Sequence, residues 1–160
     1  MIVAGIDYST RAVDIVTTDV RWSHYDLCGD TAFDRTRSVR DALPARSSEF
    51  WDEVIAAGIE EPMARGKLSG SLTPKLKAVQ GAILACLPAR LLVAPLTASE
   101  WRKAVGLPGN ASKAAVAEWV ALQYYDIYRP LEFLDWPQDA CDAYCIARAV
   151  ASRVREGEPA

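Results

Sequence analysis

Ile2-Val3-Ala4-Gly5-Ile6-Asp7-Tyr8, then Ser9-Thr10, then Arg11-Ala12-Val13-Asp14-Ile15-Val16-Thr17-Thr18-Asp19 is the stretch that decides the fold. Its first part is a short apolar run ending in an acid, the pattern of a buried strand. Its second part is rich in β-branched residues, which suit a pleated surface. The connection between them is short enough to predict a hairpin. Arg21 to Leu27, with Trp22, Tyr25 and Leu27, reads as a third strand.

Beyond these strands the periodicity changes. Asp30 to Leu43 reads as a polar helix stopped by Pro44, and Ser47 to Asp52 as its extension. Val54 to Glu60 is another apolar run ending in acids, hence a strand. Pro62 to Leu72, with Gly66, Gly70, Ser69 and Ser71, reads as a loop carrying Arg65 and Lys67. Thr73-Pro74 resembles a helix start, a hydroxyl cap followed by proline. Leu76, Val79, Ile83, Cys86 and Leu87 follow it at helical spacing, up to Pro88. Leu91 to Ala94 is a short strand closed by Pro95, and Ser99 to Val105 a short helix. Asn110 or Ser112 caps the next helix, which carries Val116, Trp119, Val120 and Gln123. Asp135, with Pro137 just inside, opens a final helix from Trp136 to about Val154.

Hairpins first and strand–helix–strand units later predict an α/β fold. Its mixed sheet has three antiparallel strands and two added parallel ones, with helices on its faces. A chain of 160 residues fits one domain, read as 1–155, with 156–160 as a frayed tail. Apolar residues make up 51% and charged residues 24%, a globular balance and not a disordered one. No apolar run is long enough to cross a membrane, and no basic segment precedes the first apolar run, so neither a span nor a secretory signal is expected. Four cysteines without a Cys-x-x-Cys pair fit reduced thiols in a cytosol-like compartment.

The net charge of −3 argues mildly against a polyanion partner, but its distribution does not. From Pro62 to Ala117 there are eight basic residues (Arg65, Lys67, Lys75, Lys77, Arg90, Arg102, Lys103 and Lys113) against the single acid Glu100. The segment is +7 and the rest of the chain −10. A polyanion responds to the local field rather than the average. A solvated surface explains such a segment equally well when charge is the only observation.

Four acids stand out by position. Asp7 ends the first strand, and Glu60 ends the strand before the basic loop. Glu60 and Glu61 are neighbours, so only one of them can face a common cluster. Asp139 and Asp142 lie three apart on the last helix and share a face that later carries Ile146 and Ala149. The acidic pair is therefore expected to look toward the sheet. Buried carboxylates facing one another are costly. Divalent cations with hard oxygen ligands, Mg²⁺ or Mn²⁺, make such a cluster tolerable. Beside a basic segment, the natural chemistry is phosphodiester hydrolysis. Taken singly, Asp139 is also explained by the helix dipole.

Ile2-Val3-Ala4-Gly5-Ile6-Asp7, Gly58-Ile59-Glu60, Gly109-Asn110-Ala111-Ser112-Lys113 and Asp139-Ala140-Cys141-Asp142-Ala143, in this order, resemble the RuvC-type Holliday-junction resolvases of the ribonuclease-H-like superfamily. The resemblance runs over nearly the whole chain. It implies a ribonuclease-H-like fold with Asp7, Glu60, Asp139 and Asp142 as ligands of two Mg²⁺ ions, Mn²⁺ substituting. It implies a homodimer that nicks opposed strands of a four-way DNA junction, leaving 5′-phosphate and 3′-hydroxyl ends. Lys113 matches the family's lysine near the scissile phosphate, and Lys103 is a looser match for a second basic residue. Arg65, Lys67, Lys75, Lys77 and Arg102 complete the expected DNA-binding set. The implied setting is the cytoplasm of a bacterium or of a phage-infected cell. Two departures stand out: one extra residue at Pro108 within the glycine–alanine–lysine element, and Met63 where an aromatic often probes the junction.

Other readings remain. Gly5-Ile6-Asp7-Tyr8-Ser9-Thr10 also resembles the first phosphate loop of actin-like ATPases and sugar kinases, which need two such domains. A nuclease acting on RNA–DNA hybrid or structured RNA, or an inactive branched-DNA-binding module, would use the same fold. His24 with Cys28, and Cys141 with Cys145, are half-sites for zinc at best. A single histidine makes His-based acid–base pairs and serine triads poor candidates. Trp22, Trp51, Trp119 and Trp136 read as core or core edge. Trp101, beside Arg102 and Lys103, is the one weighed for base or interface contact.

Overall fold

β1 (Ile2–Tyr8) is the middle strand of a five-stranded sheet ordered β3-β2-β1-β4-β5. β2 (Ala12–Thr17) and β3 (Trp22–Asp26) extend it antiparallel on one side. β4 (Val54–Glu60) and β5 (Leu92–Leu96) extend it parallel on the other. This computed structural model describes residues 1–45, 48–62, 72–125 and 136–157. The mixed sheet expected from the order of elements is the one observed. Among the described residues no helix is long and apolar enough to cross a membrane.

Side chains alternate along the strands, as a pleat requires. Ala4, Ile6, Val13, Ile15, Ala57 and Ile59 point to one face, where they pack with Val39 of α1 (Ala32–Ala42) and Val79 and Ile83 of α2 (Leu72–Cys86). Val3, Val16, Ala56, Ala94 and Leu96 point to the other face. There they meet α3 (Ala98–Ala104), α4 (Lys113–Tyr125) and α5 (Gln138–Glu156).

α5 lies directly on β1 and β4 because two glycines leave room for it. A Cβ at Gly5 would stand 1.9 Å from the Ala143 carbonyl oxygen, and one at Gly58 would stand 2.5 Å from Ile146 Cγ2. The helix answers with small residues at Ala140, Ala143 and Ala147, all fully buried. This close approach brings the first turn of α5 over the C-terminal ends of β1 and β4.

Several element boundaries differ from the sequence expectation. α2 begins at Leu72, so Thr73 and Pro74 sit inside its first turn and do not precede it. The first turn leaves its N–H groups unpaired in any case, which is why proline is accepted there. β5 runs through Pro95, opposite Ile59, and does not stop before it. An edge strand tolerates proline because one row of its N–H groups has no ladder partner to lose. Among the described residues between Pro44 and β4, the helical structure is a single 3-10 turn, Glu49–Trp51. α3 starts one residue early, on a Thr97–Glu100 capping box. Of the two candidate caps of α4, Ser112 is the one used: its Oγ accepts from Ala115 N at 3.2 Å. α5 begins at Gln138, with Pro137 at the cap position. Asp135 lies outside the described residues.

Candidate active site

Asp7 and Glu60 reach the site by the same device. Parallel pairing sets Ile6 beside Ile59, so the next residue of each strand, Asp7 and Glu60, emerges at the same end and on the same face. β4 continues beside β5 with Glu60 opposite Leu96, and α3 starts immediately after it. The first turns of α5 supply Asp139 and Asp142. These four carboxylates line one cleft of about 360 Å³ together with Glu61, Arg102 and Lys113. All four acids singled out in the sequence are thus brought together.

Their environments differ. Asp142 is buried, 7% exposed, and Gln138 Nε2 donates to its Oδ1 at 2.8 Å. Asp139 is exposed at the cleft mouth. The expectation that both look toward the sheet therefore holds for Asp142 and fails for Asp139, because the first turn of α5 overhangs the strand ends. Glu60 Oε2 accepts from the indole Nε1 of Trp101 at 3.1 Å. Tyr8 N donates to Asp7 Oδ1 at 2.9 Å. Glu61 also lines the cleft but is ion-paired to Lys77 at 2.9 Å.

Electrostatics mark the cluster as strained. Burial raises the Asp7 carboxyl well above its ordinary range, and the charges of Glu60, Asp142 and Asp139 raise it further. Burial also raises Asp142, with Asp139 adding to it, while the Gln138 hydrogen bond, Arg102 and Lys113 pull it back. Repulsion among these acids is what a divalent cation relieves, and an all-carboxylate donor set suits a hard ion. In this geometry no three His, Cys, Asp or Glu side chains among the described residues close around one point as a finished cage. The residues that line the cleft fit such an ion by chemistry and charge.

A second, basic cleft adjoins the first. Ser99, Arg102, Lys103, Gly109, Asn110, Ser112 and Lys113 line it, and Arg102 and Lys113 border both clefts. A Cβ at Gly109 would meet Ser99 Oγ at 2.4 Å, so this loop packs hard against α3 and keeps the basic side chains beside the acids. Lys75 is exposed on α2. Arg65, Lys67 and Met63 lie outside the described residues.

Three contributors escaped the sequence reading. Trp101 is fully buried and takes no part in an exposed surface. It hydrogen-bonds Glu60 and carries the Arg102 guanidinium 4.7 Å above its ring. Gln138 escaped too, although its spacing of four from Asp142 on a helix is a signal for such a contact. Gln80, buried on α2, donates to the Glu60 backbone carbonyl at 3.3 Å. Cys141 and Cys145 are buried on α5, and burial with the Asp142 charge pushes the Cys141 thiol up to about 11. A thiol held protonated at neutral pH behaves as a small apolar side chain.

The sheet order β3-β2-β1-β4-β5, with helices on both faces, is that of a ribonuclease-H-like fold. The fold is similar to that of solved structures. It superposes on RuvC from Thermus thermophilus with a TM-score of 0.70 at 20% identity, covering 98% of this chain and 97% of that one. It also superposes on T. thermophilus RuvC in complex with Holliday junction substrate, with a TM-score of 0.67 at 19% identity and the same coverage. No family model and no curated protein matches the sequence.

Proposed function

We propose that this chain is a metal-dependent, structure-selective DNA endonuclease that resolves four-way junctions by paired, symmetric nicks. One observation carries the reading: Asp7, Glu60, Asp139 and Asp142 converge from three separate elements on one cleft, with Arg102 and Lys113 at its rim. The fold shared over 98% of the chain with a RuvC structure bound to a Holliday junction supports the substrate class.

Asp7, Glu60, Asp139 and Asp142 would hold two Mg²⁺ or Mn²⁺ ions. When bound, such ions activate water and stabilise the leaving oxygen of a phosphodiester. The chain's own residues do the rest. Asp7, buried and flanked by the charges of Glu60, Asp142 and Asp139, would help hold both ions. Trp101 and Gln138 hold Glu60 and Asp142 in place. Lys113 offsets the charge that builds on the phosphate during in-line attack. Arg102 and Lys103, with Arg65, Lys67, Lys75 and Lys77, grip the junction arms through phosphates. Two equivalent cuts in a two-fold junction call for a homodimer.

The test uses a labelled four-way DNA junction, a linear duplex and an RNA–DNA hybrid, each with Mg²⁺, Mn²⁺ or EDTA, for the wild type and Asp7→Asn. Paired nicks in the junction alone, abolished by EDTA and by the substitution, are expected. Preferential cutting of the hybrid moves the chain to another ribonuclease-H-like activity. Junction binding without any cutting makes it an inactive binding module.

A further inference from the structure

The indole of Trp101 touches both halves of the site. α3 follows β5 directly, and the Thr97–Glu100 capping box fixes its first turn. Trp101 therefore returns over the end of β4, and its ring is completely buried. A buried indole N–H needs an acceptor, because water cannot reach it. Its partner is the carboxylate of Glu60, 41 residues away in sequence, at 3.1 Å. A hydrogen bond to an ionised carboxylate is among the stronger kinds. The ring face has a second load: Arg102 Cζ lies 4.7 Å from the centroid. Arg102 Nε is itself buried without a hydrogen-bond partner. The guanidinium thus rests on the ring, with no hydrogen bond at Nε, and its charge also acts on Asp142.

We propose that Trp101 is a positioning residue that sets the Glu60 carboxylate for the metal ions and the Arg102 guanidinium for the DNA phosphate from opposite parts of one ring. This rests on the endonuclease reading above. A tryptophan that only fills the core would leave metal binding unaffected when replaced by another aromatic. A supporting partner that orients a ligand changes metal affinity by about 10–100-fold when it is lost.

Two substitutions separate the roles. Trp101→Phe keeps a ring under Arg102 and removes the N–H, whereas Trp101→Leu removes both. Mn²⁺ binding is measured on the DNA-free protein by electron paramagnetic resonance, and junction binding is measured separately in EDTA. Trp101→Phe is expected to weaken Mn²⁺ binding about tenfold with junction affinity within about twofold of the wild type. Trp101→Leu is expected to weaken both, its loss of junction affinity matching that of Arg102→Ala. In a Glu60→Gln background, Trp101→Phe is expected to add no further loss.

A measurement on unaltered protein covers the case in which the variants fold poorly. Mg²⁺ titration should shift the Trp101 indole N–H resonance and leave that of Trp51 in place. Wild-type Mn²⁺ affinity in Trp101→Phe, or a Trp101 resonance indifferent to Mg²⁺, overturns the proposal while leaving the nuclease reading intact. A wild type that neither binds Mn²⁺ nor cuts any substrate overturns the nuclease reading, and this proposal with it.

Discussion

Gly5 of β1 and Ala143 of α5 are in backbone-to-backbone contact, with room for a hydrogen and for nothing larger: a Cβ would stand 1.9 Å from the Ala143 oxygen and 2.5 Å from Ala147 N. That contact fixes the height of α5 above the sheet and so the reach of Asp139 and Asp142 toward Asp7. Gly5→Ala is expected to cost about 3 kcal/mol, since backbone cannot step aside as a side chain does. At Gly58 the obstacles are methyl groups of Ile146 and Val150. Gly58→Ala is expected to cost about 1 kcal/mol. Urea unfolding of the two variants checks the ranking, and equal losses would refute it.

Asp7→Asn is expected to abolish cutting and also to stabilise the metal-free protein, by about 1 kcal/mol at neutral pH. The sign follows from the raised carboxyl. An acid whose folded pKa exceeds its unfolded value penalises the fold once pH rises above the unfolded value, and protonation at low pH removes that penalty. The gain should therefore shrink as pH falls. With Mg²⁺ added, the wild type should recover stability that the variant cannot. Thermal melts in EDTA and in Mg²⁺ test this.

The salt dependence of junction binding should single out the basic cleft. Neutralising Arg102 or Lys103 to Gln is expected to lower the log–log salt slope by about 0.9 each. Lys77 is already paired with Glu61 at 2.9 Å, so Lys77→Gln should lower it by less. Unchanged slopes for Arg102 and Lys103 would remove this cleft from the DNA interface.

A separate pair on β2 and β3 responds to pH. Asp14 is buried and accepts from Trp22 Nε1 at 2.9 Å, with His24 Nδ1 at 3.0 Å. The Asp14 hydrogen bond, more than any other contact, raises the His24 pKa. The stabilisation is fully present below the unfolded histidine value of about 6.5 and is lost as pH rises through the higher folded value. His24 is 43% exposed, so solvent screening keeps the effect small. Stability of the wild type relative to His24→Gln should fall between mildly acidic and mildly alkaline pH, and a flat difference would exclude the pair as its source.

The strands were the most legible part of the fold. β1 and β4 begin and end where the apolar runs do, because a strand buried on both faces has no polar positions to blur its limits. Helix starts were less legible. Thr73-Pro74 and Asp135 each resemble a cap, yet α2 starts at Leu72 and α5 at Gln138. Packing outweighs a single cap, whose side-chain bond contributes only about 1 kcal/mol. The acids could be read together because carboxylates at the ends of apolar strands are unusual and a pair three apart shares one helix face, although the helix dipole alone accounts for Asp139. Trp101 could not be read as a support of Glu60, because local spacing carries no information about a partner 41 residues away.

By itself the sequence determined the order of strands and main helices and the three-plus-two sheet, and it marked the four acids that the fold brings to one cleft, since these follow from hydrophobic period and local chemistry. Tertiary structure alone decided that Asp142 is buried while Asp139 meets solvent, that Lys77 is engaged by Glu61, and that one indole serves both Glu60 and Arg102. Those facts depend on where α3 and α5 lie against the strand ends. The placement is set by backbone contact at Gly5 and by the turn of chain from β5 into α3, and neither leaves a periodic trace along the chain.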